Sequence, residues 1–253
     1  MRPKLKLPHV TWITPTYCRP QTLPNLIACF LAQRYPADRL RLVILDDADQ
    51  YGPNCNGDRW QVVSVAQRYP SLPAKFNALA SLFVPREFDD ILIVAEDDDS
   101  FLPEHTMAHV DALFDGDFSK PSRVRSDYGC TTLGECIEEA ADGRFHGSIA
   151  FRRSHFEERG GWPETDQANF DQQMLSHFAA SGRTVDPCEF AEPQYVFRWH
   201  TNQYHGQSLA SGPGDTEWYR NHEVQRLARR KVKTIVPKLD PYTQALYARL
   251  NYL

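Results

Sequence analysis

Short apolar runs that end abruptly in polar clusters are the feature that most restricts how this chain can fold. Runs of this length that are rich in β-branched residues are typical of buried strands. The runs and the clusters that follow them are Val10 to Thr14 with Pro15-Thr16-Tyr17, Arg41 to Leu45 with Asp46-Asp47, and Ile91 to Ala95 with Glu96-Asp97-Asp98-Asp99. Trp60 to Val65 is a further candidate strand.

Amphipathic helical patterns lie between these runs. The apolar stripes expected to face the core are Leu23, Leu26, Ile27, Phe30 and Leu31 before Pro36; Phe76, Leu79, Leu82 and Phe83 within Ala74 to Val84; and Met107, Val110, Leu113 and Phe114 within Glu104 to Phe114. Alternating strands and helices predict an α/β fold with a mostly parallel sheet and helices on both faces. Ligands bind such sheets at the carboxyl ends of the strands, where the polar clusters lie.

The second half of the chain is less regular. The pattern predicts a strand over Gly147 to Arg152 and a helix over Phe170 to Ala180, with Phe170, Met174 and Phe178 on one side. Tyr204 to Gly214 is rich in Gly, Ser and Pro and is predicted to be a loop. Glu217 to Lys231 is predicted to be a helix in a C-terminal extension.

Composition excludes several classes of protein. The 253 residues carry a formal net charge of -5, which gives no overall attraction to nucleic acid or membranes. No apolar run approaches the roughly 20 residues of a membrane span, and Met1 to Pro8 lacks the apolar core of a signal peptide. The six cysteines are scattered. We therefore expect a soluble, cytoplasmic protein without disulfides.

A basic stretch from Arg220 to Lys238 departs from this acidic balance. It holds seven basic residues and one acid, Glu223. Such a stretch is typical of a solvated helix face, and contact with a polyanion remains an open alternative.

The four acids after the third run suggest a metal site. Packed carboxylates repel one another, and Mg²⁺ or Mn²⁺ relieves this because hard cations prefer carboxylate oxygens. On an extended segment, Glu96 and Asp98 would point one way and Asp97 and Asp99 the other. We therefore predict Asp98 and Glu96 as the metal ligands. A solvated acidic turn that caps the next helix is the alternative.

These motifs, in this order, resemble the GT-A-fold glycosyltransferases, in particular those of family 2. The similarity spans about residues 9 to 185. It includes the acid cluster as the D-x-D type motif, Lys75 and Asn77 as the basic-x-Asn motif, and Gly160-Gly161-Trp162 with Asn169-Phe170-Asp171 as the acceptor-side motifs. Two departures stand out: Glu96 replaces the first Asp of D-x-D, and Phe170-Asp171 replaces the usual Glu-Asp pair.

The resemblance implies a role for each motif. It implies a Rossmann-like GT-A domain over residues 1–205, with a donor half at about 9–115 and an acceptor half at about 116–205. Residues 206–253 would form a loop or lid and the helical extension. The implied donor-binding residues are Pro15, Thr16, Tyr17, Arg19, Asp46, Asp47, Lys75, Asn77 and Asp97. Among these, Asp46 or Asp47 would bind the uracil or ribose, and Lys75 the diphosphate.

On the acceptor side, Asp171 is the candidate general base, because a carboxylate can take the proton of an acceptor hydroxyl. The alternative for Asp171 is an acid at a helix start that the helix dipole stabilises. Gly161, Trp162 and Arg152 are candidate acceptor contacts, although packing would also explain Trp162 and Arg152. Some GT-A enzymes supply a late histidine to the metal or diphosphate, and His205 is favoured over His200 for that role.

The expected activity is metal-dependent transfer of a sugar, with inversion, from a nucleoside-diphosphate sugar to an acceptor hydroxyl. A UDP-sugar is the favoured donor, and the acceptor is a saccharide or a hydroxymethylated DNA base. The alternatives are a sugar nucleotidyltransferase, which would want a glycine-rich loop after the first strand, and a non-catalytic nucleotide-sugar or glycan-binding module. The segment Pro15 to Pro20 contains no glycine.

Overall fold

A computed structural model describes residues 7–52, 55–86, 90–127, 136–165 and 169–198. The strands in these segments are β1 (Val10–Thr16), β2 (Leu40–Asp46), β3 (Asn56–Gly57), β4 (Trp60–Ser64), β5 (Ile91–Val94), β6 (Ser100–Phe101), β7 (Phe118–Ser119), β8 (Arg123–Asp127), β9 (Ile137–Ala140), β10 (Ala150–Arg152), β11 (Thr184–Val185) and β12 (Tyr195–Arg198). The α-helices are α1 (Leu23–Leu31), α2 (Leu72–Ala78), α3 (His105–Phe114), α4 (Arg153–Glu158) and α5 (Phe170–Ala179).

The larger sheet has the strand order β11-β7-β10-β5-β1-β2-β4-β3. Its centre is parallel: β1 pairs with β2 and with β5, and β2 pairs with β4. Strand β10 is antiparallel to β5, and β3 is antiparallel to β4. The predicted α/β fold with a mostly parallel central sheet is confirmed, and the carboxyl ends of β1, β2 and β5 lie at one edge.

The two faces of this sheet are covered by different helices. Trp12, Leu42 and Ile93 share a buried cluster with residues of α1 and α3. A second cluster holds Ile13, Val43 and Leu92 together with residues of α2, α4 and α5. Each of these three strand residues is the immediate neighbour, along its strand, of one in the first cluster. Because successive side chains of a strand point to opposite faces, unbroken apolar strands bury both faces of a sheet.

Stacked aromatic rings hold α4 and α5 against the sheet. The ring of Phe151 on β10 lies 5.2 Å from that of Phe178 on α5, with 1° between their planes. Phe156 on α4 stacks on Phe151 at 5.5 Å, and Trp162 meets Phe151 edge-on at 5.3 Å. These contacts fix α5, whose predicted start at Phe170 is confirmed.

A smaller sheet, which the sequence patterns did not predict, has the order β6-β12-β8-β9. Strand β12 is antiparallel to β6 and parallel to β8. Because β6 begins one residue after the acid cluster, this sheet lies directly beside that cluster.

Several details of the predicted helices are wrong. The helix expected over Ala74 to Val84 is α2 followed by a π-helical turn, Leu79–Phe83. The extra residue in that turn shifts the helix face, and the side chain of Leu82 is 72% exposed. On α3, Phe114 is exposed, whereas His105 and His109 are buried. Burial lowers the pKa of His109 to about 3, so this residue packs as a neutral ring.

Other predictions concern shorter or undescribed segments. The strand expected over Gly147 to Arg152 is a 3₁₀ turn, His146–Ser148, and then β10. Five cysteines, at positions 18, 29, 55, 136 and 188, are free thiols. No helix within the described ranges has the length and apolarity needed to cross a membrane. His200, His205, the predicted loop and helix after them, and the basic stretch lie outside the described residues.

The aromatic stack yields a stability prediction. Phe178→Ala removes a fully buried ring and should lower the free energy of unfolding by about 3–5 kcal/mol, as measured by urea denaturation. Leu82→Ala is the matched control, and because Leu82 is exposed it should change that free energy by about 0.5 kcal/mol or less. Equal losses in the two variants would contradict the packing described here.

Candidate active site

The polar clusters that follow β1 and β5 meet at one edge of the sheet. The Thr16 hydroxyl at the end of β1 donates a hydrogen bond of 2.5 Å to Asp97 Oδ2. The Thr14 hydroxyl donates to the carbonyl oxygen of Ala95, at 2.6 Å. Parallel pairing of β1 with β5 brings these residues together across about eighty positions of sequence. The polar residues at the ends of β1 and β5 therefore form one hydrogen-bonded group at the carboxyl edge of the sheet.

The acid cluster is a turn and not an extended segment. Asp97 and Asp98 form the turn, so the predicted alternation is wrong and Asp99 returns to the side of Glu96 and Asp98. One carboxylate oxygen from each of Glu96, Asp98 and Asp99 lies within 4.8 Å of the others. The predicted ligands Glu96 and Asp98 are thus brought together, with Asp99 as a third that sequence reasoning missed.

Burial and mutual repulsion disturb the titration of this turn. Desolvation by burial, followed by the charge of Asp98, raises the pKa of Asp97 to about 6. Burial raises the pKa of Asp99 well above its ordinary value, and the charges of Asp98 and Glu96 add to that shift. A hard divalent cation among these oxygens would offset both effects, so the chemistry of the ligand set fits Mg²⁺ or Mn²⁺.

Arg19 supplies a positive charge at the rim of the acid turn. Its Nη1 atom lies 3.1 Å from Asp97 Oδ1 and 2.7 Å from Asp98 Oδ2. The preceding residue, Cys18, has a φ of 53°, which turns the chain sharply after β1. Arg19 keeps 20% of its side chain exposed and can therefore meet a ligand from solvent as well as the two carboxylates.

An exposed aromatic surface lies beside Arg19. Tyr17 is 42% exposed, and the guanidinium of Arg68 stacks on its ring, 3.5 Å from the ring centre. Tyr17 follows β1 and Arg68 follows β4, so the pair spans the end of β2 between them. Flat surfaces of this kind can stack on a planar base.

Asp46 and Asp47 have protein partners. The carboxylate of Asp46 accepts hydrogen bonds from the backbone N–H groups of Ala48 (3.1 Å) and Gln50 (2.8 Å) and from the hydroxyl of Ser64 (2.7 Å). The carboxylate of Asp47 accepts from the backbone N–H of Tyr69 at 3.0 Å. Both carboxylates shape the chain after β2.

Lys75 on α2 bonds both Asp47 and the end of β1. Ser71 caps the helix by accepting the N–H of Ala74, which places Lys75 in the first turns facing the sheet. Its ammonium donates 2.5 Å hydrogen bonds to Asp47 Oδ1 and to the carbonyl oxygen of Thr16, and the residue is only 4% exposed. Burial lowers the pKa of Lys75, and the hydrogen bond to Asp47 opposes that shift.

Asn77 binds the Gly-Gly-Trp segment. Its Oδ1 accepts the backbone N–H of Trp162 at 2.8 Å, and its Nδ2 donates to the carbonyl oxygen of Trp162 at 2.9 Å. Gly161 has a φ of 80°, and a Cβ there would lie 2.4 Å from Asn77 Oδ1. The segment therefore needs glycine at this position. Trp162 is 2% exposed and stacks on Phe76 with ring centres 4.8 Å apart.

Behind the acid turn, His146 connects Trp162 to Glu96. The Trp162 indole donates to His146 Nε2 at 3.1 Å, and His146 Nδ1 lies 3.4 Å from Glu96 Oε1. The next residue, Gly147, packs on the same carboxylate, since a Cβ there would lie 2.9 Å from Glu96 Oε2. The sequence analysis assigned neither residue to the site, because nothing in their segment indicates a contact with Glu96, which lies 50 residues before His146.

Asp171 follows a residue that contacts the same histidine. The ring of Phe170, the first residue of α5, meets the His146 ring edge-on at 5.8 Å. Asp171, the next residue, is half-buried, and its Oδ1 accepts the backbone N–H of Gln172 at 2.8 Å.

The structure does not bring Arg152 to this edge. It pairs with Ile91 at the amino end of β5 and donates to the carbonyl oxygens of Gly116 and Leu113. The prediction that Arg152 contacts the acceptor is therefore corrected, because the antiparallel direction of β10 carries it to the opposite edge.

The smaller sheet supports Asp99. The Tyr195 hydroxyl donates to Asp99 Oδ2 at 2.5 Å, and the backbone N–H of Arg198 donates to Asp99 Oδ1 at 2.9 Å. Both residues lie on β12, whose parallel neighbour β8 ends at the buried Asp127. Sequence reasoning missed these supports as well, since Tyr195 lies 96 residues from Asp99.

Comparison with known proteins identifies the architecture. No protein-family model matches the chain, and no curated protein sequence matches it. Solved structures do match. One is the mannosyltransferase PcManGT from Pyrobaculum calidifontis in complex with GDP-Man and Mn²⁺, with a TM-score of 0.57, 19% identity, and coverage of 97% of this chain and 70% of that one.

A second is residues 1–349 of TarS from S. aureus in complex with UDP-GlcNAc, with a TM-score of 0.63, 13% identity, and coverage of 95% and 70%. TarS 1–349 without that ligand gives a TM-score of 0.60 at 12% identity. The fold is GT-A. At these identities the likeness concerns the fold alone, so activity has to be argued from the residues of the site.

The buried pair of Asp47 and Lys75 yields a second stability prediction. Lys75→Met leaves a buried carboxylate without its cation and should lower the free energy of unfolding by about 3–5 kcal/mol in urea denaturation. The double variant Asp47→Asn with Lys75→Met should recover part of that loss. Lys120→Met, at a half-buried lysine after β7, is the control and should cost about 1 kcal/mol or less. Unchanged stability of Lys75→Met would contradict the structural role.

Proposed function

We propose that this chain is a metal-dependent glycosyltransferase that moves a sugar from a nucleoside-diphosphate sugar to an acceptor hydroxyl. The observation that carries the proposal is the acid turn, where Glu96, Asp98 and Asp99 converge at the carboxyl edge of a GT-A sheet. The named neighbours give further support, because one is complexed with GDP-Man and Mn²⁺ and another with UDP-GlcNAc.

The donor is proposed to lie along the edge between the Tyr17–Arg68 surface and the acid turn. Tyr17 would stack on the base, and Arg19, which already bridges Asp97 and Asp98, would face the diphosphate. The other predicted donor residues would shape this edge from behind: Pro15, Thr16, Asp46, Asp47, Lys75 and Asn77. Most of them are buried and already bonded to other protein groups, namely Thr16, Asp46, Asp47 and Lys75. A UDP-sugar remains the favoured donor.

Glu96 and Asp98, with Asp99, would hold Mn²⁺ or Mg²⁺. When bound, the ion supplies positive charge that stabilises the departing nucleoside diphosphate. His205, the predicted late ligand, lies outside the described residues and stays a prediction.

Asp171 is the proposed general base. Its carboxylate takes the proton of the acceptor hydroxyl while the acceptor oxygen forms a bond to the anomeric carbon. The bond from that carbon to the diphosphate breaks at the same time, and its electron pair stays with the phosphate oxygen, so one displacement inverts the centre. The contact of Phe170 with His146 supports this role, because it links the first residue of α5, through the His146 ring, to Glu96.

Gly161 and Trp162 are proposed to support the acceptor side through their backbone, since the Trp162 ring is buried. The acceptor class stays open between a saccharide and a hydroxymethylated DNA base. The basic stretch, Arg220 to Lys238, would favour the polyanion, and transfer assays at about 50 and 200 mM salt separate the two because phosphate contacts are strongly salt-dependent.

The metal role is tested by donor binding. Wild type should bind one of UDP-, GDP- or TDP-sugars in the presence of Mn²⁺, and Asp98→Asn should lose most of that binding because it removes a ligand charge. Thermal shift and donor hydrolysis are the measurements. Asp58→Asn, whose side chain is 90% exposed, is the control and should match wild type. Donor hydrolysis at the full rate by EDTA-treated wild type would contradict the metal dependence.

The catalytic role of Asp171 is tested separately. Asp171→Asn should cut turnover by roughly 10²-fold or more, the scale of general-base loss, with donor affinity nearly unchanged. Asp38→Asn, at an exposed carboxylate before β2, serves as control. If donor affinity collapses while turnover persists, Asp171 is a binding residue. If neither parameter changes, the non-catalytic alternative gains support.

A further inference from the structure

The side chain of His146 is fixed from both ring nitrogens. The residue is 3% exposed, and its ring also meets Phe76 edge-on at 4.9 Å. The indole N–H of Trp162 can only donate, so His146 Nε2 must accept that hydrogen bond. The ring proton therefore sits on Nδ1, which faces Glu96 Oε1 at 3.4 Å.

Trp162 sets this tautomer because it is itself immobilised. Asn77 bonds both its backbone N–H and its carbonyl oxygen, and its ring is stacked on Phe76. The donor that decides where the His146 proton lies therefore belongs to a rigid segment and cannot easily turn away.

Glu96 needs such support more than an aspartate would. A glutamate has one more rotatable bond than an aspartate, so holding its carboxylate in one place costs more conformational entropy. Glu96 keeps 22% of its side chain exposed and is held from behind by His146 and by the backbone at Gly147.

We propose that His146 is a positioning residue that orients Glu96 for the divalent cation, with its tautomer set by Trp162. Nδ1–H holds Oε1 of the carboxylate, which reduces the rotamer freedom that Glu96 would otherwise lose on binding the ion. Partners of this kind around metal ligands typically change metal affinity by about 10–100-fold when removed. This inference rests on the proposed metal site.

Two amide substitutions separate the roles of the two ring nitrogens. The amide nitrogen of His146→Asn replaces Nδ1, whereas that of His146→Gln reaches the position of Nε2. Mn²⁺ binding, followed by the electron paramagnetic resonance of the free ion, should stay within about threefold of wild type in His146→Asn. It should weaken by about tenfold in His146→Gln. The apparent KM for Mn²⁺ should rise in parallel, with kcat at saturating Mn²⁺ nearly unchanged.

His155→Gln is the control for disturbing a buried histidine, since His155 bonds the carbonyl oxygen of Phe178. This variant should leave the Mn²⁺ affinity unchanged. Urea denaturation of each variant shows whether it is folded. Wild-type affinity in both His146 variants, or equal weakening in both, would overturn the positioning role while leaving the proposed function intact. Absence of saturable Mn²⁺ binding by wild type would overturn the proposed function and this inference together.

Discussion

The ammonium of Lys75 lies buried between the Asp47 carboxylate and the carbonyl oxygen of Thr16, and the carboxyl edge of the sheet depends on this contact. It joins β1, β2 and α2 at the one place where all three approach the proposed site. Because an uncompensated buried charge is strongly destabilising, each partner requires the other. The same contact fixes the carbonyl of Thr16, whose hydroxyl binds Asp97.

The gathering of the polar clusters at one edge of the sheet could be predicted from sequence, because it depends on the direction of the strands alone. Polar residues after parallel strands must gather at one edge, and the runs ending at Thr14, Leu45 and Ala95 were long enough to recognise as strands. Helix α5 was predicted within one residue of its observed bounds. The apolar stripe of α1 also marks its position, although the helix ends at Leu31, well before Pro36, and leaves Leu31 exposed. Strand direction and apolar stripes both depend on residues that are close in sequence, so both can be predicted from a single sequence.

The shape of the site could not be predicted, because distant residues determine it. Asp97 is held by Thr16 and Arg19, and Asp99 by Tyr195 and Arg198, so the acid turn takes its form from residues about eighty positions before it and about a hundred positions after it. An isolated run of four acids gives no sign of these partners, and the extended alternation was the simplest assumption. The exposure of Leu82 likewise follows from a π-helical turn that apolar periodicity does not reveal.

The two sides of the proposed site share one rigid support. His146 bonds Glu96 on the metal side and Trp162 on the acceptor side, and its ring touches Phe170, the neighbour of Asp171. A buried ring with both nitrogens engaged cannot move relative to one partner without disturbing the others. The contacts of this one residue therefore connect the Glu96 side chain with Trp162 and with the first residue of α5. The proposed single displacement would require the acceptor oxygen and the departing diphosphate to lie on opposite sides of one carbon, so the positions of α5 and the acid turn would have to suit each other.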